Sequence, residues 1–236
     1  MKMPILSIVG VWLVLLALAW PVQAAEVAVQ VENLAPRGGV YLSPMWVGFD
    51  GPQFRLFTTT DTSTPSAGLT QLAMQGDASL LEQEFRTAVV DGVQGVIGAS
   101  RGSLNAPNFA PGAMGKSTFD LDPGTNRFMN FAAKVYPGTS AFIASSSQIE
   151  VFDDQGQFKG KQIITVLGSQ VLEAPTPSNG GGATLPGVTF DPVASDLTLP
   201  GAVVARITVV PEPATLFLLA GGSLMLLRRR RRTSRK

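Results

Sequence analysis

Two pairs of carboxylates, Asp120 with Asp122 and Asp153 with Asp154, are the residues whose type and spacing could do chemistry unaided. Two carboxylates facing one cleft can hydrolyse a glycosidic bond, one as acid and the other as base or nucleophile. Each pair is followed by turn-forming residues, Pro123-Gly124 and Gln155-Gly156, and acids in such places ordinarily close hairpin turns in solvent. Gly98-Ala99-Ser100-Arg101-Gly102 has the Gly-x-Ser-x-Gly spacing of a hydrolase nucleophile turn. No helix-forming stretch follows it, and the chain has no histidine to take a serine proton, so it reads as a glycine-rich turn. Gly92, Gly95 and Gly98 recur at threes but lack the Gly-x-Gly start or Gly-Lys-Ser/Thr ending of a phosphate cradle. They mark places where a strand bends or is closely approached. The absence of cysteine excludes a disulfide framework, a thiolate metal site and a thiol nucleophile. Without histidine, any metal would be held by oxygen, which makes calcium the candidate ion. Tyr41, Trp46 and Tyr136 could stack on sugar rings, although Trp46 stands inside an apolar run and reads as core.

The elements that must position these residues are mostly short strands punctuated by Gly, Pro, Asn and Ser, the pattern of an all-β sandwich. Val27, Val29 and Val31 alternate with Ala28, Gln30 and Glu32, one face inward and one outward. Similar runs occur at 45–49, 54–58, 93–99, 128–135, 149–152, 162–167 and 203–209. The stretch from Pro65 to Ala88 is helical in pattern and predicts two short helices broken at Gly76-Asp77. Leu69, Leu72 and Ala73 form the apolar face of the first, and Leu80, Leu81, Phe85 and Val89 that of the second. Ser178 to Ala183 reads as a flexible loop. With 45% hydrophobic and 15% charged positions in 236 residues, the chain can core one domain once its ends are removed.

The formal net charge of +1 hides an asymmetry. Residues 211–236 carry seven basic groups and one acid, whereas residues 25–210 carry ten basic and sixteen acidic groups. An acidic body lacks the footprint for counterion release, so nucleic acid is excluded as a partner. The basic residues are a topology signal.

At the start stand Lys2, an apolar run from Ile5 to Trp20, Pro21 and the small-residue site Val22-Gln23-Ala24. This order predicts a signal peptide over 1–24, cut by signal peptidase between Ala24 and Ala25. At the other end Val210-Pro211-Glu212-Pro213 precedes an apolar segment, 214–227, and then Arg228, Arg229, Arg230, Arg231 and Arg232. As a helix the segment would reach ~21 Å, short of a hydrocarbon layer of roughly 30 Å, with the arginines on the cytoplasmic side. The three parts in this order resemble the PEP-CTERM sorting signal of Gram-negative bacteria. The resemblance implies a transmembrane segment at 214–227 in the precursor. It also implies removal of the tail by an exosortase, a membrane protease of bacteria that make extracellular polysaccharide. The resulting division is 1–24, a body over 25–209, and a sorting tail over 210–236.

The body resembles the spondin N-terminal domain through Val31-Glu32-Asn33-Leu34-Ala35-Pro36, Val47-Gly48-Phe49-Asp50-Gly51, and Phe54-Arg55-Leu56-Phe57. Further on, Ala67-Gly68-Leu69, Leu72-Ala73, Gly76-Asp77, Ala141-Phe142-Ile143 and Ile149 to Gly156 carry it. The resemblance implies a C2-like antiparallel β-sandwich with a short helical insertion. It also implies calcium held by acids from loops at one end, where Asp77 and Glu173 are the acids that occupy matching positions. Ser140 stands where the family often has an acid, and two carboxylates fall short of the about six to eight oxygens calcium takes, so a low-affinity site at most is expected. The reading that follows is an exported, non-enzymatic adhesion or binding protein of the cell surface or extracellular matrix, in a biofilm context, with no required cofactor. Its expected partners are signal peptidase, the exosortase and an extracellular polysaccharide or other matrix component. The alternative is a secreted enzyme that acts on extracellular polysaccharide through one carboxylate pair.

Overall fold

The computed structural model describes residues 24–56, 66–100, 107–174 and 201–212. The expected signal peptide before Ala24, the Ser178 to Ala183 loop, Pro213, the segment 214–227 and Arg228 to Arg232 lie outside them. In chain order the strands are β1 (Ala25–Asn33), β2 (Tyr41–Leu42), β3 (Met45–Asp50), β4 (Val93–Ile97), β5 (Met114–Leu121), β6 (Phe128–Tyr136), β7 (Ala141–Ala144), β8 (Ile149–Glu150), β9 (Gln162–Leu167), β10 (Leu172–Glu173) and β11 (Val203–Pro211). Helices α1 (Ala67–Gln75) and α2 (Ser79–Ala88) lie between β3 and β4.

Two antiparallel sheets face each other, as the strand pattern predicts. One has the order β5-β1-β11-β9. The other runs β10-β7-β6-β3-β4, with β2 and β8 also paired to β6. Val27, Val29, Val31, Ile207 and Val209 of the first sheet share one core cluster with Met45, Val47, Phe49, Phe131 and Ile143 of the second. The second sheet is buried on its other face too. There Trp46, Ala132 and Phe142 pack with Leu69, Leu72, Leu81 and Phe85 of the two helices. This third layer explains why β3 is buried at every position instead of alternating.

The helices end where their side chains and neighbours close the backbone. Ser66 Oγ accepts the Leu69 N–H at 3.1 Å to open α1, and Gly76 closes it in the left-handed region at φ 75°. The buried Lys134 ammonium donates to the Ala73 and Met74 carbonyls at 2.7 and 2.9 Å and to Thr139 O at 2.7 Å. A cation there complements the helix C-terminus, and burial holds its pKa below the ordinary lysine range.

Three expectations need correction, and one strand was not anticipated. Phe54, Arg55 and Leu56 form no strand, because Asp50 Oδ2 accepts the Phe54 N–H at 3.0 Å and turns the chain; 57 and 58 lie outside the described residues. Leu80 is only half-buried, since the face of α2 that meets the sheet is centred on Leu81 and Phe85. Met114–Leu121 is a full edge strand that its mixed composition did not announce. The last strand does not stop at the expected boundary of 209, for β11 pairs on through Val210 and Pro211 with Ala28 and Val27.

Candidate functional site

The end of β11 is where the sequence signal for processing meets the folded body. Val209, Val210 and Pro211 stand opposite Val29, Ala28 and Val27 of β1, and the Glu212 N–H donates to Glu26 O at 3.0 Å. The Glu212 carboxylate is held in turn by β5: Lys116 Nζ lies 2.8 Å from Oε1, and the Thr118 hydroxyl donates to the same oxygen at 3.3 Å. Lys116, first among these contacts, holds the Glu212 carboxyl below its usual range. Because β1 begins at Ala25, the residue expected at the mature N-terminus lies on the strand next to Glu212.

The paired acids serve turns. Asp122 Oδ1 accepts the Gly124 N–H at 2.8 Å, while Asp120 is exposed on β5 opposite Glu26. Asp153 Oδ1 accepts the Gln155 and Gln157 N–H groups at 2.9 and 2.8 Å, and Asp154 is exposed. Ser100 bonds through its N–H to Met114 O at 2.9 Å, and its exposed hydroxyl donates to that carbonyl at 3.4 Å. All three glycines are closely approached: a Cβ at Gly92 would lie 2.6 Å from the Phe85 ring, at Gly95 3.1 Å from the Phe119 ring and at Gly98 3.0 Å from Pro107.

Asp77 stands just before Ala78, the N-cap of α2. Its Oδ1 accepts the Ser79 N–H two residues on at 2.9 Å, and its Oδ2 accepts from Gln71 Nε2 at 2.8 Å and from Ser79 Oγ at 3.0 Å. The Ser79 N–H, foremost among these partners, lowers the carboxyl's pKa. Glu173 is exposed on the edge strand β10, opposite Ala141 of β7. Among the described residues, no group of three or more Asp, Glu, His or Cys stands together as an ion site. Of the aromatics, Trp46 is fully buried and its indole donates to Gln94 Oε1 at 2.9 Å, so it takes no part in a surface. Tyr41 and Tyr136 stand directly opposite each other on β2 and β6, both half-buried.

Sequence reasoning missed Asp50. It is fully buried on the outer face of β3, where its carboxylate takes the Phe54 N–H at 3.0 Å and the amides of Asn130 and Gln148 at 3.3 and 3.5 Å. Burial pushes the carboxyl up to about 7, against the lowering pull of Phe54 N–H and the Gln148 amide. The folded protein therefore keeps a proton that the unfolded chain, with a value of 3.8, releases. Asp50 lowers stability progressively as pH rises from ~4 to ~7, and its penalty is constant above that. The lowered carboxyls of Asp77, Glu150 and Glu212 act in the opposite sense, below that window. Asp50→Asn is expected to flatten the slope between pH 5 and 8. Three pH units of linkage bound the gain at ~4 kcal/mol, and losing one N–H acceptor takes back ~2, leaving ~2 kcal/mol of added stability at pH 8. Urea denaturation of both forms at the two pH values measures it; an unchanged slope would refute the assignment.

Residues 209–232 match the PEP-CTERM protein-sorting motif. The match begins inside β11, so three residues of the motif are also residues of the sheet. No curated protein matches the chain. A motif of this kind implies export and processing of a membrane-held precursor by an exosortase, a membrane protease. Among the described residues no helix is long and apolar enough to cross a membrane.

Proposed function

We propose that this chain is a non-enzymatic binding protein of the cell surface or extracellular matrix, released or retained there after exosortase-type removal of its tail. The observation that carries the reading is the sorting motif running directly out of the closing strand of an all-β sandwich. The body leaves the cell by way of its signal peptide and meets the processing enzyme at the outer surface of the inner membrane of a Gram-negative bacterium. The spondin-type resemblance of the body fits this setting, since that domain occurs in extracellular proteins. That Asp122 and Asp153 are engaged by backbone N–H groups of their own turns supports binding over catalysis. A carboxylate that transfers protons to a substrate must instead face it across a cleft.

The Tyr41–Tyr136 pair offers the surface that favours a sugar chain. Neighbouring tyrosines on one sheet face can lie against sugar rings through their apolar bodies; the Tyr136 hydroxyl donates to Gln75 O at 3.4 Å and the Lys134 ammonium lies 5.2 Å from the Tyr136 ring centre, which holds that ring in place. Affinity electrophoresis of the mature protein through exopolysaccharide from the same bacterium tests this. Wild-type protein is expected to be retarded, and Tyr41→Ala/Tyr136→Ala to bind about tenfold more weakly, the equivalent of ~1.4 kcal/mol for two aromatic contacts. Equal retardation of both forms would remove the tyrosines from the reading. Release of new reducing ends from the polysaccharide would replace it with the hydrolase alternative.

A further inference from the structure

The register places three carboxylates in line across the end of the first sheet. Glu26 of β1 faces Asp120 of β5, and on its other side the pairing of Val27 with Pro211 brings Glu212 level with it. Like charges directly opposite one another on a sheet repel. Lys116 and Thr118 draw the Glu212 side chain away from that row, across β1 and onto β5. The Glu212 side chain keeps only 19% of its exposure while Lys116 keeps 50%. The side-chain contacts that hold the end of β11 down are thus those of Glu212 with Lys116 and Thr118.

Pro211 adds to that poise. Since the Glu212 N–H points to β1, the Pro211 nitrogen points to the opposite edge, where the ladder with β9 has already ended at Val209–Gln162. A proline there sacrifices no ladder bond, and it leaves the last residues of the strand with one bonded edge only. A recurring way to recognise a peptide is to take it extended, bonding along its backbone and reading side chains in pockets. With Pro211 and Glu212 on the sheet, one backbone edge is used by β1 and the acid of the motif is already paired.

We propose that the body is a latch on its own sorting motif: Lys116 and Thr118 hold Glu212 on the sheet, and the exosortase gains the motif only when the end of β11 lifts from β1. The proposal rests on the exosortase reading given above and concerns how that reading is regulated. Lys116 acts as an internal competitor for the carboxylate that the enzyme must read. Folding of the body sets the rate at which its tail is removed.

The test follows tail removal by the size of the pulse-labelled full-length precursor, in a bacterium with a working exosortase and in one without. Lys116→Ala is expected to shorten the half-time about two- to fivefold, the range a surface ion pair can command, and Thr118→Ala by less. Lys116→Arg, which keeps the charge, is expected to retain the wild-type rate. Eight Gly and Ser residues inserted between Val210 and Pro211 lift the motif off the sheet. That form is expected to be processed faster than wild type, with Lys116→Ala adding nothing further to it. Equal or slower processing of Lys116→Ala in the exosortase strain overturns the latch and leaves the sorting reading intact. Faster processing accompanied by loss of protease resistance in the body also overturns it, because general unfolding then explains the rate. Shortening of wild-type protein in the strain without exosortase sinks the sorting reading, and the latch with it.

Discussion

Trp46→Ala is expected to lower the stability of the mature body by about 3–5 kcal/mol, the loss typical of truncating a fully buried large aromatic. Trp46 has no exposed surface and meets the Phe85 ring edge-on at 5.4 Å, with Phe54 at 6.3 Å. Gly48 makes this possible: a Cβ at that position would come within 2.5 Å of the indole, so the missing side chain leaves the slot in which the ring lies. The indole N–H donates to Gln94 Oε1 at 2.9 Å, and the Gln94 amide donates in turn to Glu82 O at 2.8 Å. One side chain therefore ties β3 to β4 and, through Gln94, to α2. Alanine leaves a cavity between sheet and helices and strips Gln94 of a donor, two costs that add. Trp46→Phe keeps most of the packing and loses the bond, for ~1–2 kcal/mol. If the mature chain starts at Ala25, Trp46 is its single tryptophan, because the other two, Trp12 and Trp20, precede that residue. Urea unfolding must for that reason be followed by circular dichroism. A loss below 1 kcal/mol for Trp46→Ala would mean that the helices do not pack on the sheet as described.

That third layer was legible in the sequence without being read as such. The run Met45-Trp46-Val47-Gly48-Phe49 is apolar on both faces, which signals a strand covered on both sides, and Leu69, Leu72, Leu81 and Phe85 supplied the helical faces to cover it. Strands with strong β-branched alternation, β1 and β11, were found from their valines, and the break between the helices from Gly76-Asp77. Met114–Leu121 escaped because Lys116, Ser117, Thr118 and Asp120 dilute its pattern; only Phe119 and Leu121 are buried large side chains there. Asp50 before Gly51-Pro52 looks like any turn acid, and its burial depends on Asn130 and Gln148, about a hundred residues and less away in the chain. The Glu212 contact was hidden for the same reason, since nothing in the tail marks Lys116 as its partner. A local clue did exist: the valine run of β11 continues through Val210 and meets no break before Pro211, a residue that strand edges accept.

Replacing Arg228 to Arg232 with glutamine is expected to abolish correct sorting while the body stays folded. Each arginine at the centre of a bilayer costs at least roughly 2.5 kcal/mol on insertion scales, so five in a row hold their end of the tail in the cytoplasm. The apolar segment 214–227 is sub-span in length, and with neutral flanks little prevents it from slipping through. The anchor also sets where the motif lies. Pro213 follows directly on Glu212, whose N–H is bonded to the sheet, so a tail held in the membrane by these arginines would bring the end of β11 to its outer surface. A precursor without them presents its motif to no membrane enzyme, whether the latch is open or closed. The core is untouched, because its last buried residue on β11 is Val209. Expression of both forms beside a working exosortase, compared by size, fractionation and protease resistance, gives the answer. The glutamine form is expected full-length, displaced from the membrane fraction and as protease-resistant in its body as wild type. Normal trimming of that form would show that the arginines are not the stop, and Lys116→Ala in the same glutamine background separates the two devices. If the glutamine tail escapes trimming because it has left the membrane, opening the latch cannot restore it; if it escapes because the motif is better shielded, Lys116→Ala will.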